Sequence, residues 1–206
     1  MESNSRKTQI LKEIFGYDSF RKGQEEIVDQ ILNGRDVLAI MPTGAGKSLC
    51  YQVPALLMSG ITIVVSPLIS LMIDQVKALN EAGVHAAYIN SALTERQITK
   101  ALELAAAGRY KMIYVAPERL LTPRFLDFAC HTELSMVTID EAHCISQWGQ
   151  DFRPSYVKIT EFIRQLPRRP VVSAFTATAT QKVREDILEV LDLESPVLTE
   201  RTFTSK

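Results

Sequence analysis

A glycine-rich segment near the start of the chain has the residue types of a phosphate-binding loop. Its two glycines let the backbone bend so that several N–H groups point inward at phosphate oxygens, and the helix that follows adds partial positive charge at its N-terminus. Lys47 can reach the β- and γ-phosphates of a nucleotide, and the Ser48 hydroxyl can ligate Mg²⁺. Met41 stands where the general motif has glycine, so the prediction depends on the remaining core and its place between a strand and a helix. The residues predicted to hold the phosphates are Thr43, Gly44, Ala45, Gly46, Lys47 and Ser48.

Two adjacent carboxylates, Asp140 and Glu141, directly follow an apolar run that reads as a strand. An aspartate in this position holds Mg²⁺ in many phosphate-loop enzymes, and a neighbouring glutamate can orient and deprotonate an attacking water. Neighbouring acids repel each other unless a cation is close, so Mg²⁺ and Lys47 explain the pair better than a solvated turn does. We therefore predict Asp140 as a magnesium ligand and Glu141 as the general base.

The elements that must position these residues alternate along the chain as short apolar runs and helical segments. Continuous rather than alternating apolar residues indicate strands buried on both faces. We predict an α/β fold with a mostly parallel β-sheet flanked by helices on both faces, and ligands bound beyond the carboxyl ends of its strands. Strands are predicted at 36–41, 61–65, 86–89, 111–115, 136–139 and 171–175, with one more near the end; helices are predicted at 8–15, 22–32, 47–58, 68–82, 94–107, 117–130, 155–166 and 181–191.

Length and composition favour one ordinary intracellular domain. The chain has 206 residues, of which 46% are hydrophobic and 23% charged, so global disorder is excluded. Lys+Arg is 23 and Asp+Glu is 24, so any contact with nucleic acid must come from a local patch rather than a bulk positive field.

The cysteine count and the apolar stretches also argue against disulfides, a zinc site and a membrane helix. Three cysteines without a CxxC pair argue against a disulfide framework or a zinc site and for thiols in a reducing cytosol. The polar first residues do not form a secretory signal. The longest apolar stretch, 61–73, is interrupted by polar residues and falls short of a membrane helix.

Several motifs together resemble a known family. Thr43–Ser48, Asp140–His143 and Thr176–Thr178 resemble superfamily 2 helicases, whose first motor lobe carries these motifs in this order. Longer segments are similar to the RecQ family of DNA helicases, and the resemblance runs from about Ile10 to Leu193. It implies a RecA-like P-loop NTPase domain. The segments are Phe15–Gln24, Ser48–Pro54, Ser66–Met72 and Asp140–Pro154.

The resemblance implies further roles around the nucleotide. Gln24 corresponds to a glutamine that reads the adenine edge, because its amide can donate and accept at once. Tyr17 and Arg21 are placed to stack on or beside the adenine ring. His143 corresponds to a catalytic histidine that relays between the nucleotide site and the segment after the strand at 171–175; a metal-ligand role is not expected, because no second cluster of histidine or cysteine supports it.

The segment from Cys144 to Arg153 matches the family's aromatic-rich loop, which couples single-stranded DNA to ATP hydrolysis. Aromatic rings can stack on any base, and an arginine can pair with phosphate. Two residues depart from the family pattern: Ala45 replaces a glycine, and Gln150 stands where histidine is frequent. The predicted DNA-coupling residues are Ser146, Gln147, Trp148, Asp151, Phe152, Arg153, Thr176 and Thr178.

The resemblance also implies an organisation and partners. Residues 1–34 are expected to form a helical segment that carries the adenine-reading motif, 35–200 the ATP-binding domain, and 201–206 a polar tail before a second motor lobe. The implied cofactors are ATP and Mg²⁺, and the implied partners are single-stranded and duplex DNA and the second RecA-like lobe. No membrane contact and no zinc in this chain are expected. The implied location is the bacterial nucleoid or the nucleus, and the implied processes are DNA repair and recombination.

Two other functions stay open at this point. One is a self-contained P-loop ATPase or small kinase, which would need its own cation, for which Arg119 and Arg153 are candidates. The other is a non-catalytic module that binds nucleotide and DNA without turnover. Retention of Lys47, Ser48 and the acidic pair argues against loss of catalysis.

Overall fold

A seven-stranded parallel sheet forms the centre of the protein, as described by a computed structural model of backbone residues 2–200 and side chains 6–199. The spatial order is β3-β4-β2-β5-β6-β1-β7, and every recorded pairing is parallel. This confirms the predicted sheet. The strands are β1 Val37–Ile40, β2 Ile61–Val65, β3 Ala86–Ile89, β4 Met112–Val115, β5 Leu134–Ile139, β6 Val171–Thr176 and β7 Val197–Glu200.

Eight α-helices and two short 3-10 helices accompany the strands within the described range. The α-helices are α1 Glu2–Glu13, α2 Gln24–Leu32, α3 Lys47–Leu57, α4 Ile69–Glu81, α5 Glu95–Ala106, α6 Pro123–Cys130, α7 Pro154–Gln165 and α8 Gln181–Val190; the 3-10 helices are Pro117–Arg119 and Ala142–Ile145. In the described part of the chain, no helix has the length and apolar character needed to cross a bilayer.

Helices cover both faces of the sheet, as the continuous apolar strands predicted. In β2, Ile63 and Val65 pack with α5 to α8, whereas Val64 between them packs with α2, α3 and α4. This alternation follows from the two-residue period of a strand. Two hydrophobic layers therefore hold the sheet rigid from both sides.

The N-terminal helices pack on α3 rather than on the sheet alone. Leu11 of α1, Val28 of α2 and Val53 of α3 form a small buried cluster. The loop between α1 and α2 is thereby held beside the start of α3, where the predicted phosphate loop lies. The predicted tail at 201–206 lies outside the described residues.

Several element boundaries differ from the sequence prediction, as in α1, which spans Glu2–Glu13 rather than 8–15, and two of the differences have a clear physical reason. The helical region predicted at 117–130 divides into a 3-10 turn and α6, because Pro123 begins α6 and its ring prevents continuation from the preceding turn. Strand β5 starts at Leu134, two residues earlier than predicted, because Leu134 pairs with Ile61 of β2. Neither difference moves a predicted site residue away from the carboxyl edge of the sheet.

Candidate active site

The order of the central strands gathers the predicted motifs. Strand β6 lies between β1 and β5, so the segments that follow these three strands emerge side by side at the carboxyl edge. The phosphate loop follows β1, the acidic pair follows β5, and Thr176 ends β6. Residues far apart in sequence therefore become neighbours at this edge. The strand order that makes them neighbours has no local signal in the sequence.

The phosphate loop needs glycine at two positions. Gly44 and Gly46 both have φ of 79°, in the left-handed region that other residues rarely adopt. At Gly46 a side chain would also collide, since an added Cβ would lie 2.4 Å from Gln24 Nε2. Ala45 is not among the described non-glycine residues with positive φ, which agrees with the expectation that alanine costs little there.

Gln24 is buried, and its amide bonds both the phosphate loop and the Arg21 backbone. Its Nε2 donates to the carbonyls of Ala45 at 3.0 Å and Gly46 at 3.2 Å, and its Oε1 accepts from the Arg21 N–H at 2.8 Å. The predicted adenine-reading residue therefore also braces the phosphate loop. Its contact with adenine stays a prediction, and that contact would compete with these bonds.

The other predicted adenine contacts lie at the rim of the same cleft. The Arg21 guanidinium donates to the Gly44 carbonyl at 2.7 Å, and the Tyr17 ring is 48% exposed. The cleft has a volume of about 390 Å³, within the range of small-molecule sites. Its lining includes Tyr17, Arg21, Gln24, Thr43, Gly44, Gly46, Lys47, Ser48, Asp140 and Glu141.

Lys47 and Glu141 face each other across the cleft, with Lys47 Nζ 3.4 Å from Glu141 Oε1. Glu141 is held in a strained left-handed conformation, with φ of 49°, and its N–H donates to Asp140 Oδ1 at 3.0 Å. Non-glycine residues in this region cost free energy and cluster at functional sites. The Tyr156 hydroxyl fixes the turn by donating to the Asp140 carbonyl at 2.9 Å.

The two carboxyls have opposite electrostatic environments. Burial, and then the charge of Glu141, raise the pKa of Asp140 to about 6. The hydrogen bond with His143, followed by the charge of Lys47, lowers the pKa of Glu141 despite its partial burial. Glu141 is therefore ionised at neutral pH, as a general base must be. A buried carboxylate destabilised in this way is well suited to a divalent cation, so Asp140 and the nearby Ser48 fit a Mg²⁺ site.

A hydrogen-bonded chain joins Glu141 to the end of β6. His143 Nδ1 lies 2.9 Å from Thr176 Oγ1 and 3.3 Å from Glu141 Oε2. The Thr176 hydroxyl donates to the Thr178 carbonyl at 3.1 Å, so its oxygen accepts the proton on His143 Nδ1. The predicted relay residues are thus in contact.

The aromatic-rich loop lies against α8. Trp148 is 64% exposed, and Lys182 Nζ lies 3.3 Å from the centroid of its ring. Ser146 Oγ donates to Asp186 Oδ2 at 2.6 Å and accepts from the Trp148 N–H at 3.1 Å. Sequence reasoning missed Lys182 and Asp186, because no motif marks them. Their spacing of four residues on one helix face was the only available signal.

The rest of the loop is partly engaged with the protein. Arg153 contacts Asp151 Oδ2 at 3.1 Å and donates to the Pro67 carbonyl at 3.3 Å. Gln147 and Thr178 are exposed, and Phe152 is half-buried. A DNA phosphate at Arg153 would therefore compete with Asp151.

Comparisons with known proteins identify the relatives of the chain. The family model described as DEAD/DEAH box helicase matches residues 21–187. The chain is 50% identical over 190 residues to the ATP-dependent DNA helicase RecQ of Bacillus subtilis (strain 168), covering 92% of this chain and 32% of that protein. It is also 50% identical over 187 residues to the ATP-dependent DNA helicase RecQ of Pasteurella multocida (strain Pm70), covering 91% of this chain and 29% of that protein.

A solved structure supports the fold. The DEAD-box helicase Mss116 bound to ssRNA and UDP-BeF superposes with a TM-score of 0.77 at 16% identity, over 99% of this chain and 45% of that one. The fold is therefore RecA-like. The chain spans about a third of the length of the curated relatives it matches.

Proposed function

We propose that this chain, which belongs to the DEAD/DEAH box helicase family, is the RecQ-type motor lobe of a longer DNA helicase and binds MgATP there. That helicase would couple ATP hydrolysis to 3′-to-5′ translocation on single-stranded DNA and to duplex unwinding, in repair or recombination. It would act where chromosomal DNA lies, in the bacterial nucleoid or the nucleus.

The observation that carries the proposal is the pairing of Lys47 with Glu141 at 3.4 Å across the cleft. Lys47, proposed to bind phosphate, and Glu141, proposed as the base, thus face the same cleft, with the buried Asp140 beside them. Gln24 lines this cleft, and we propose that the segment 1–34 that carries it acts together with the unit at 35–200.

Each residue then has a distinct task in hydrolysis. Lys47 exchanges Glu141 for the β- and γ-phosphates when nucleotide binds, and the released Glu141 carboxylate orients and deprotonates the attacking water. Asp140, in part through water, and Ser48 would hold Mg²⁺. When bound, Mg²⁺ supplies charge neutralisation at the phosphate oxygens. Thr43 and the loop N–H groups orient the phosphates.

Coupling to DNA would run through the aromatic-rich loop. Trp148 and Phe152 offer stacking surfaces, and Arg153 offers a charge for phosphate. The side-chain contacts from Thr176 to His143 and from His143 to Glu141 connect this region with the proposed general base. Movement of the loop on single-stranded DNA would thereby change the position of Glu141.

A self-contained ATPase is less well supported. Arg119 contacts Glu95 at 3.6 Å and Arg153 contacts Asp151 at 3.1 Å, and among the described residues neither is part of the cleft lining. A cation from a second lobe would fill this role, and such cations contribute about 10³–10⁵ in rate in related enzymes.

Fluorescence anisotropy with labelled ATP and Mg²⁺ tests the nucleotide site. Lys47→Ala is expected to weaken binding by about 10- to 100-fold, since it removes charge-assisted contacts with phosphate. Lys77→Ala is the matched control, because Lys77 is exposed on α4 and pairs only loosely with Glu81, at 3.9 Å. Equal affinities of the parent chain and Lys47→Ala would reject the proposal.

A further inference from the structure

Three potential metal ligands of different chemistry meet beside the aromatic-rich loop. His143 Nε2 lies 3.9 Å from Cys144 Sγ, and Cys144 Sγ lies 3.7 Å from Asp151 Oδ2. The nitrogen, the sulfur and one oxygen of the carboxylate all lie within 4.8 Å of one another. We propose that His143, Cys144 and Asp151 bind one Zn²⁺ ion, at a position distinct from the Mg²⁺ site of the proposed function.

The tautomer of His143 leaves the correct nitrogen available. Nδ1 faces two oxygens, Glu141 Oε2 and Thr176 Oγ1. The Thr176 oxygen acts as an acceptor toward Nδ1, because the hydroxyl donates its proton to the Thr178 carbonyl. A ring with its single proton on Nδ1 presents the lone pair of Nε2 toward Cys144. A neutral imidazole with a free nitrogen is the form that binds a transition metal.

The spacing suits a tetrahedral zinc ion. Zn–N, Zn–O and Zn–S bonds of about 2.0–2.3 Å at tetrahedral angles place ligand atoms about 3.3–3.8 Å apart. The separations of 3.9 and 3.7 Å involving Cys144 Sγ are close to this range. The third separation, within 4.8 Å, needs a contraction in which the exposed Asp151 side chain moves together with Arg153, whose Nη2 lies 3.1 Å from Asp151 Oδ2. His143 and Asp151 also line an open cleft with Trp148 and Thr178, so water can occupy the fourth position.

Outer contacts orient two of the ligands. Glu141 Oε2 contacts His143 Nδ1, the ring nitrogen that would not bind the metal, and such carboxylate–histidine–metal arrangements orient the histidine in zinc sites. Arg153 contacts the Asp151 carboxylate in the same way. The loop is folded back on itself, with the Arg153 N–H donating to the Cys144 carbonyl at 2.8 Å. Gly149 permits the turn, because an added Cβ there would lie 2.8 Å from the His143 carbonyl oxygen.

Cys144 would bind as a thiolate. Burial and the charge of Asp151 raise the pKa of its thiol to about 12, so the sulfur is protonated in the metal-free protein at neutral pH. Zn²⁺ replaces that proton, which leaves to solvent, and the ion neutralises the surrounding negative charge. No oxidation is involved. Bound zinc would lock His143 to Asp151 and so restrain the loop that the proposed function assigns to DNA coupling.

Sequence alone argued against a metal role for His143, because no second histidine or cysteine cluster accompanies it. The fold adds Asp151, because the turn returns this residue to within 3.7 Å of Cys144, which follows His143 directly in the sequence. A mixed set of one nitrogen, one sulfur and one oxygen leaves no spacing pattern of the CxxC kind.

Titration with Co²⁺, followed by absorption, tests the site without any activity measurement. Co²⁺ substitutes for Zn²⁺, and a Co²⁺–thiolate bond gives an intense charge-transfer band. The chain is expected to bind one Co²⁺ with this band and to lose the band when Zn²⁺ is added. Cys144→Ser is expected to abolish it, whereas Cys130→Ser, at a half-buried cysteine, is expected to retain it. Circular dichroism checks the fold of each variant.

A second variant separates the proposal from a simple thiol–metal contact. Asp151→Asn alters an exposed side chain and should weaken Co²⁺ binding by at least about tenfold while the fold is kept. Asp140→Asn, at the Mg²⁺ position, should leave the band unchanged. Absence of the band in the parent chain, or its survival in Cys144→Ser, would overturn the proposal while leaving the nucleotide site untouched.

Discussion

Gln24 shows how one side chain can connect two parts of a site. Its amide bonds Ala45, Gly46 and Arg21, so the loop before α2 and the phosphate loop share one buried group. Gly46 is needed for the same reason, because any Cβ would displace that amide. Adenine recognition and phosphate binding are therefore expected to be coupled at this residue.

Replacing Gln24 tests that coupling. Gln24→Ala is expected to weaken ATP binding and to reduce the preference for ATP over GTP, because it removes the proposed adenine contact and also the hydrogen bonds that Gln24 makes to the phosphate loop. Competition of unlabelled ATP and GTP against labelled ATP measures both effects. Gln9→Ala, an exposed change on α1, is the control. An unchanged preference for ATP would remove Gln24 from adenine recognition.

Glu141 tests the division of labour between the two carboxyls. In an assembled motor, Glu141→Gln is expected to keep ATP binding and to abolish turnover, because the amide cannot accept the proton of water. Anisotropy measures binding and phosphate release measures turnover. Turnover retained by Glu141→Gln would exclude it as the general base.

At the scale of elements, α8 is the support of the aromatic-rich loop. Lys182 lies over the Trp148 ring, and Asp186, one turn later, accepts a hydrogen bond from Ser146. The helix begins at Gln181, a short turn after the end of β6. Through its contacts with α8, the aromatic-rich loop is therefore linked to the end of β6. Bases that stack on Trp148 must displace Lys182 or use the other ring face.

The single tryptophan of the chain makes this testable by fluorescence. Single-stranded oligonucleotide is expected to change Trp148 emission, since stacking alters the environment of the indole, and Lys182→Ala should change the emission before DNA is added. Arg96→Ala, an exposed change on α5, should leave both signals as in the parent. Anisotropy that reports DNA binding without any change in Trp148 emission would place the DNA elsewhere.

Asp36 joins three strands at the opposite end of the sheet. It is 2% exposed, pairs with Arg169 at 2.6 Å, and accepts from the N–H groups of Val172 at 2.9 Å and Glu194 at 2.7 Å. These bonds tie β1 to β6 and to the segment before β7. The phosphate loop at the other end of β1 depends on this anchoring for its position.

Removal of this anchor should be costly. Asp36→Ala is expected to lower the free energy of unfolding by about 3–5 kcal/mol, because it leaves Arg169 and two backbone donors without their buried partner. Glu81→Ala, in an exposed pair, should cost less than about 1 kcal/mol. Urea unfolding followed by circular dichroism compares them. A cost at Asp36 as small as that at Glu81 would contradict the assigned role.

Features with a local signal were predicted from the sequence, whereas contacts between distant segments were not. Apolar runs predicted the parallel sheet, because burial on both faces leaves a local signature, and the phosphate loop and acidic pair were found from residue types alone. Asp36, Lys182 and the Asp151–Cys144 contact were not, because each depends on segments brought together by strand order or by a turn. The engagement of Gln24 by the phosphate loop was missed for the same reason.

At the scale of the whole molecule, the proposed function assigns the nucleotide-holding groups and the general base to this chain. The chain spans about a third of the length of its curated relatives. The cations among the described lining residues of the cleft are Arg21 and Lys47, and both already have partners within the chain. Full activity is therefore expected to require a second lobe that closes the cleft.

Steady-state ATP turnover with Mg²⁺, with and without single-stranded DNA, tests this account most directly. The chain alone should hydrolyse ATP at or near background, whereas a longer protein that adds the second lobe should show DNA-stimulated turnover that is lost in Lys47→Ala. Brisk, Lys47-dependent turnover by the chain alone would contradict the account.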